Sequence, residues 1–127
     1  MKGAILVGHG SRLSYNKELL TKLSDIFKEY FDGNIIEIGF MEMNTPKIMD
    51  AVVSAVKKGA DELYIIPVFL AKGIHTTEDI PNEVGGFVNG KNVIEVQGKK
   101  VKLIYCDPIG PDRRIAEILW DRVREKY

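Results

Sequence analysis

The most constraining feature of the chain is its first apolar run, Ala4-Ile5-Leu6-Val7, closed at once by Gly8-His9-Gly10. A run this short that ends in a glycine turn predicts a buried strand, and is far too short for a signal h-region or a membrane span. Leu19, Leu23, Ile26, Phe27, Tyr30 and Phe31 follow at spacings of three and four, which predicts an amphipathic helix stopped by Asp32-Gly33-Asn34. Ile35, Ile36, Ile38 and Phe40 predict a second strand. Thr45 is then a candidate N-cap with Pro46 at the first helical position, Ile48, Val52, Ala55 and Val56 form the apolar face, and Gly59 ends the helix. Strand, turn and helix already alternate.

The rest of the chain keeps that rhythm. Leu63 to Phe69 predicts a third strand, and Pro67 within it predicts an edge, a strand end or an irregularity, because proline cannot donate to a ladder. A loop carrying Gly73-Ile74-His75-Thr76-Thr77 leads into a short helix over residues 76–84, despite Pro81. Val93 to Val96 and Val101 to Tyr105 either pair as a hairpin or send only the second into the sheet. The last helix begins at Gly110-Pro111-Asp112 and is expected to bury Ile115, Ile118, Leu119 and Val123, with Trp120 in core or interface. The expected fold is one α/β domain over residues 1–127, three layers deep, with a mainly parallel central sheet and right-handed crossovers. Roughly four strands is few for such a sheet, which predicts self-association.

Charge narrows the function classes. Eighteen Lys and Arg balance eighteen Asp and Glu, so the chain lacks the basic excess that nucleic acid or an anionic membrane would select. Its single cysteine, Cys106, cannot form an internal disulfide, and the expected setting is the cytoplasm.

Both histidines of the chain, His9 and His75, follow predicted strands in glycine-containing loops. Helical crossovers put those loops on one edge of the sheet, where open parallel sheets form their ligand crevice. Two imidazoles suit a borderline divalent ion such as Co²⁺, Ni²⁺ or Zn²⁺ but do not complete a four-ligand structural zinc site. They equally suit acid–base work. Gly8-His9-Gly10-Ser11-Arg12 matches only the first two glycines of a dinucleotide fingerprint, since Leu13 fills the third position. A phosphorylated His9 is a rival reading, although Gly8 stands where mutase-type phosphohistidine enzymes have arginine. The plainest reading is a strand-to-helix turn that needs glycine, with Ser11 a helix-entry residue. Asp79 can complete a capping box with Thr76, Glu78 favours a helix start, and Glu42 falls in an irregular segment between Met41 and Met43.

Leu6-Val7-Gly8-His9-Gly10-Ser11-Arg12, followed by Pro67-Val68-Phe69-Leu70-Ala71-Lys72-Gly73-Ile74-His75-Thr76-Thr77-Glu78-Asp79-Ile80-Pro81, resembles the small CbiX-type class II chelatases of archaea; Asp107-Pro108-Ile109-Gly110 matches a further segment. The resemblance implies an enzyme that inserts Co²⁺ into sirohydrochlorin on the anaerobic route to cobalamin, or Ni²⁺ on the route to the nickel tetrapyrrole of methanogenesis. It implies no permanently bound cofactor, the divalent metal being substrate, and a homodimer, the small form supplying one half of a doubled chelatase. By residue, it makes His9 and His75 the metal ligands and His9 also the proton acceptor. Leu70, Ala71, Lys72, Gly73, Ile74 and His75 would line the tetrapyrrole site. Thr45 falls where relatives can carry a substrate-contacting glutamate. Ser11, Arg12, Thr76, Thr77 and loop N–H groups are candidates to bind the carboxylates of sirohydrochlorin. The competing classes are a phosphotransferase using His9 and a non-catalytic carrier of metal, tetrapyrrole or nucleotide.

Overall fold

A computed structural model describes residues 1–127. Five strands form one sheet in the order β2-β1-β3-β5-β4. β1 (Lys2–Gly8) lies parallel to both β2 (Ile35–Phe40) and β3 (Glu62–Pro67). β5 (Lys99–Tyr105) is parallel to β3, and only β4 (Lys91–Val96) runs antiparallel, paired with β5 as a hairpin. The two residues between β4 and β5, Gln97 (φ 51) and Gly98 (φ 79), are both left-handed, as a two-residue hairpin turn requires. The fifth strand is therefore the hairpin alternative, and the sheet is larger than the four strands expected. Pro67 is the last residue of a central strand, not an edge residue, so its missing N–H interrupts no ladder.

Helix α1 (Tyr15–Phe27) connects β1 to β2, and α2 (Ile48–Lys57) connects β2 to β3. α2 buries Ile48, Ala51, Val52, Ala55 and Val56; each large apolar side chain so buried contributes about 1.5–3 kcal/mol. They join Ile5, Val7, Leu63, Ile65, Val101 and Leu103 in the main core. α2 starts at Ile48 rather than Pro46. Asp50 accepts the Lys47 N–H at 3.1 Å, while the Pro46 carbonyl accepts the Phe40 N–H, so that Pro46 belongs to the return from β2. The expected N-cap role of Thr45 is thereby corrected.

The opposite side of the sheet is thinly covered, its buried cluster being only Leu6, Leu20 and Phe40. Leu20 is the one buried residue of α1; Leu19, Leu23, Ile26 and Tyr30, expected on its core face, are exposed. The last helix, α4 (Arg113–Arg124), buries none of its residues. Ile118, Leu119 and Val123 stand open instead of forming the buried face expected of them, and Trp120 is exposed beside them, which rules out the core half of its expected role. No helix is long and apolar enough to cross a membrane.

Candidate metal centre

The sheet order puts β1 between β2 and β3, so the chain turns outward in opposite directions from adjacent strands. In open α/β sheets the ligand crevice opens at that point, beyond the carboxyl ends. Register makes the three ends level: Gly8 pairs with Phe40, and Val7 with both Gly39 and Pro67. The ladder runs past the strands, since Met41 N–H reaches the Gly8 carbonyl and Glu42 N–H the His9 carbonyl. His9, Glu42 and the His75 loop therefore leave from neighbouring strand ends.

Gly10 makes the approach of the first two possible. Its φ is +93°, and a Cβ there would lie 1.7 Å from the Glu42 carbonyl oxygen. The turn is tied down by side-chain amides: Gly10 N–H donates to Asn16 Oδ1 and Ser11 N–H to Asn44 Oδ1. Ser11 is not at the helix entry; α1 begins four residues on, after Ser14.

The imidazole rings of His9 and His75 stand 4.8 Å apart between centroids. His75 opens a π-helical turn, His75–Asp79, that runs directly into α3 (Ile80–Glu83). Its Nδ1 meets Asp79 Oδ2 at 2.8 Å, while His9 Nδ1 meets the Gly10 carbonyl at 3.1 Å. Both partners are acceptors, so a hydrogen on each Nδ1 satisfies them, and a ring in that tautomer turns its Nε2 lone pair outward. Outer partners of this kind are what orient metal-binding histidines. His9 Nε2 faces Glu42 Oε1 at 3.1 Å. A lone pair opposite a carboxylate is repulsive unless a proton or a cation lies between them.

Glu42 and Asp79 are thus the carboxylates that the fold brings onto the two imidazoles, contacts that residue order left open. Asp79 makes no capping box, because the Thr76 hydroxyl is turned to Gly73, accepting its N–H and donating to its carbonyl. Thr76 is buried and so not free for a substrate carboxylate. A cleft of about 580 Å³ opens beside the histidines, lined by Met41, Glu42, His75, Asp79, Asn82 and Glu83. Of the residues expected to line the tetrapyrrole site only His75 lines this cleft; Leu70, Ala71, Lys72, Gly73 and Ile74 are exposed on the loop that leads to it, and Lys72 lies on a separate hollow with Thr76, Thr77 and Tyr105. Thr45 is exposed on the return from β2, outside the residues lining that cleft. Three His, Cys, Asp or Glu side chains do not come together as a closed metal cage anywhere in the chain. Cys106 is half-buried, and burial, then Asp107, push its thiol above the ordinary range.

An open pair of imidazoles at a strand-end crevice is the setting in which the comparisons fall. The CbiX family model matches residues 3–126. The chain belongs to the CbiX family. It is 41% identical over 140 residues to the sirohydrochlorin cobaltochelatase of Methanocaldococcus jannaschii, covering 96% of this chain and 97% of that one. The enzyme of the same name from Methanosarcina barkeri is 37% identical over 123 residues, covering 97% and 95%. Among solved structures, the sirohydrochlorin chelatase SirB from Bacillus subtilis subspecies spizizenii, in complex with cobalt, superposes with a TM-score of 0.80 at 28% identity. That match takes in 98% of this CbiX chain but 51% of SirB, so the chain spans about half its length. A protein named for CbiX and cobalamin (vitamin B12) biosynthesis, from Marinobacter aquaeolei VT8, matches at TM-score 0.72 and 25% identity, over 99% of this chain and 97% of that one.

Proposed function

We propose that this CbiX chain, as a single chelatase domain over residues 1–127, inserts Co²⁺ into sirohydrochlorin in the cytoplasm. Ni²⁺, as in the making of the nickel tetrapyrrole of methanogenesis, is the second candidate. One observation carries the reading: His9 and His75, from the ends of β1 and β3, stand ring to ring with their Nε2 atoms unclaimed by the backbone. A pair of imidazoles is a nitrogen donor set that suits both ions.

The reaction exchanges one divalent ion for two pyrrole protons. The incoming ion is held by His9 and His75, with Glu42 offsetting its charge. As the ion passes to the macrocycle, each nitrogen it leaves is a vacant base beside a carboxylate. His9 takes one proton against Glu42, and His75 takes the other while Asp79 holds its Nδ1–H. Exposed Leu70 and Ile74 offer apolar contact to a flat ring, and Ala71, Lys72 and Gly73 continue that lining, with Lys72 suited to a carboxylate. Thr45, on the neighbouring return loop, is assigned a peripheral contact.

A phosphohistidine mechanism fits less well. The ring of His9 meets Glu42, the Gly10 carbonyl and His75, not an arginine, and a carboxylate at 3.1 Å would repel a phosphoryl group. The test is the absorbance of sirohydrochlorin mixed with Co²⁺ or Ni²⁺ and the protein. A conversion many-fold faster than the spontaneous one supports the enzyme. Binding without acceleration would make the chain a carrier.

The working unit is a homodimer formed through the exposed apolar faces of α1 and α4. Leu119 and Trp120 are 63% and 50% exposed on a helix that buries nothing within its own chain. The match to half of SirB supports two copies per functional unit. Leu119→Asp with Trp120→Asp is expected to convert a sedimenting dimer to monomer and to lower specific activity at least about tenfold, since charges in the core of an interface are strongly unfavourable. A wild-type chain that sediments as a monomer with full activity would refute this arrangement.

A further inference from the structure

The π-helical turn that carries His75 has a weak point in its own backbone. Its defining hydrogen bond runs from Ile80 N–H to the His75 carbonyl. In the same register the next bond would join residue 81 to the Thr76 carbonyl, but residue 81 is proline and has no N–H. With Ile80 already committed, the helix itself offers Thr76 no donor. An orphaned carbonyl at buried Thr76 would favour slipping back to α-register, in which Ile80 serves Thr76, lets His75 go and leaves the gap made by Pro81 at exposed Thr77.

The missing donor comes from another strand. The Tyr105 hydroxyl, at the end of β5, donates to the Thr76 carbonyl at 2.5 Å. Tyr105 is held by a stack on Phe87, 4.8 Å between centroids and 10° from parallel. Burial pushes its hydroxyl up to about 12, so it keeps its proton at neutral pH. The segment that follows β5 braces the start of the loop, where Ile109 and Gly110 N–H groups donate to the Phe69 and Leu70 carbonyls.

We propose that Tyr105 is a positioning residue for metal delivery, its hydroxyl replacing the N–H that Pro81 removes and so locking the register that aims His75 at His9. Asp79 depends on the same register, because the turn brings its carboxylate onto His75 Nδ1. Tyr105 itself touches neither metal nor macrocycle. Its effect passes wholly through the turn. The inference rests on the chelatase reading only for its kinetic consequence; the backbone claim stands without it.

The experiment is a cycle of Tyr105→Phe, Pro81→Ala and the double variant. Tyr105→Phe removes one hydroxyl and keeps the ring stack, so the fold is expected to survive. The through-hydrogen-bond coupling of the Ile80 amide should move from the His75 carbonyl to the Thr76 carbonyl, and the KM for Co²⁺ should rise roughly fivefold or more, while the KM for sirohydrochlorin changes less than about twofold. Pro81→Ala alone should stay near wild type. In the double variant Ile80 can serve Thr76 while the restored N–H serves Thr77, so the α-register has both carbonyls paired and both changes should be at least as large as in Tyr105→Phe; a tyrosine acting only through its ring packing would leave the register unmoved. An Ile80 coupling that stays on the His75 carbonyl in Tyr105→Phe, or one that leaves it in Pro81→Ala with Tyr105 intact, would overturn the proposal. The Ile80 coupling is read on the protein alone, so failure of metal insertion in every variant would count against the chelatase reading and leave the role of Tyr105 in the turn intact.

Discussion

Removing either imidazole is expected to lower metal insertion by at least about a hundredfold while the protein remains folded, because proton transfer and metal binding both depend on these two groups. The side chains of His9 and His75 are 41% and 43% exposed and fill no core position. Their truncation to alanine should therefore change stability by no more than about 0.5 kcal/mol. The two variants should differ in kind. His75→Ala, with His9 and Glu42 still in place, should recover part of its rate at high Co²⁺. His9→Ala should not, because it loses both a ligand and the base paired with Glu42. Initial rates across a cobalt titration separate the cases, with thermal unfolding as the control. Normal rates in both variants would remove the histidines from the mechanism.

The second large effect is expected at Gly10. A Cβ at this position would sit 1.7 Å from the Glu42 carbonyl oxygen at a backbone φ of +93°. The obstacle is backbone, which cannot swing away as a side chain does. Gly10→Ala should therefore cost about 3 kcal/mol of stability through strain and displacement. It should also remove metal insertion under conditions where the variant is fully folded, since the His9 turn and Glu42 are pushed apart. Gly73→Ala is the contrast, with open space around its added methyl and an expected change within about 0.5 kcal/mol. Urea unfolding of both variants checks the difference. Equal stabilities would mean that the close approach at Gly10 is not maintained in solution.

Much of this arrangement was legible in residue order. Apolar runs that stop at Gly8 and Phe69 located two strand ends, the second two residues past Pro67 where β3 closes, and parallel crossovers bring such ends to one edge, so His9 and His75 were recognisable as partners. Their carboxylates were not. Glu42 reaches His9 because β2 and β1 run in register past Phe40, and register between strands leaves no mark on either alone. Asp79 meets His75 through a π-turn, whereas its spacing from Thr76 suggested a cap. Tyr105 reads as an ordinary strand aromatic until its hydroxyl is seen against the carbonyl that Pro81 leaves open. The helices show a different limit. Leu19, Leu23 and Ile26 on α1, and Ile118 and Leu119 on α4, have the spacing of a buried face, yet they lie exposed. Periodicity says that a face is apolar and needs covering; it does not say whether the cover comes from the same chain.

The central claim is that the ends of β1 and β3 jointly hold the metal to be inserted. Anomalous diffraction at the cobalt edge, from crystals of the protein soaked in Co²⁺, tests it directly. The expected result is one ion per chain, within bonding distance of the Nε2 atoms of both His9 and His75, and absent from His75→Ala crystals. Cobalt bound at other residues while this pair stays empty would contradict the claim.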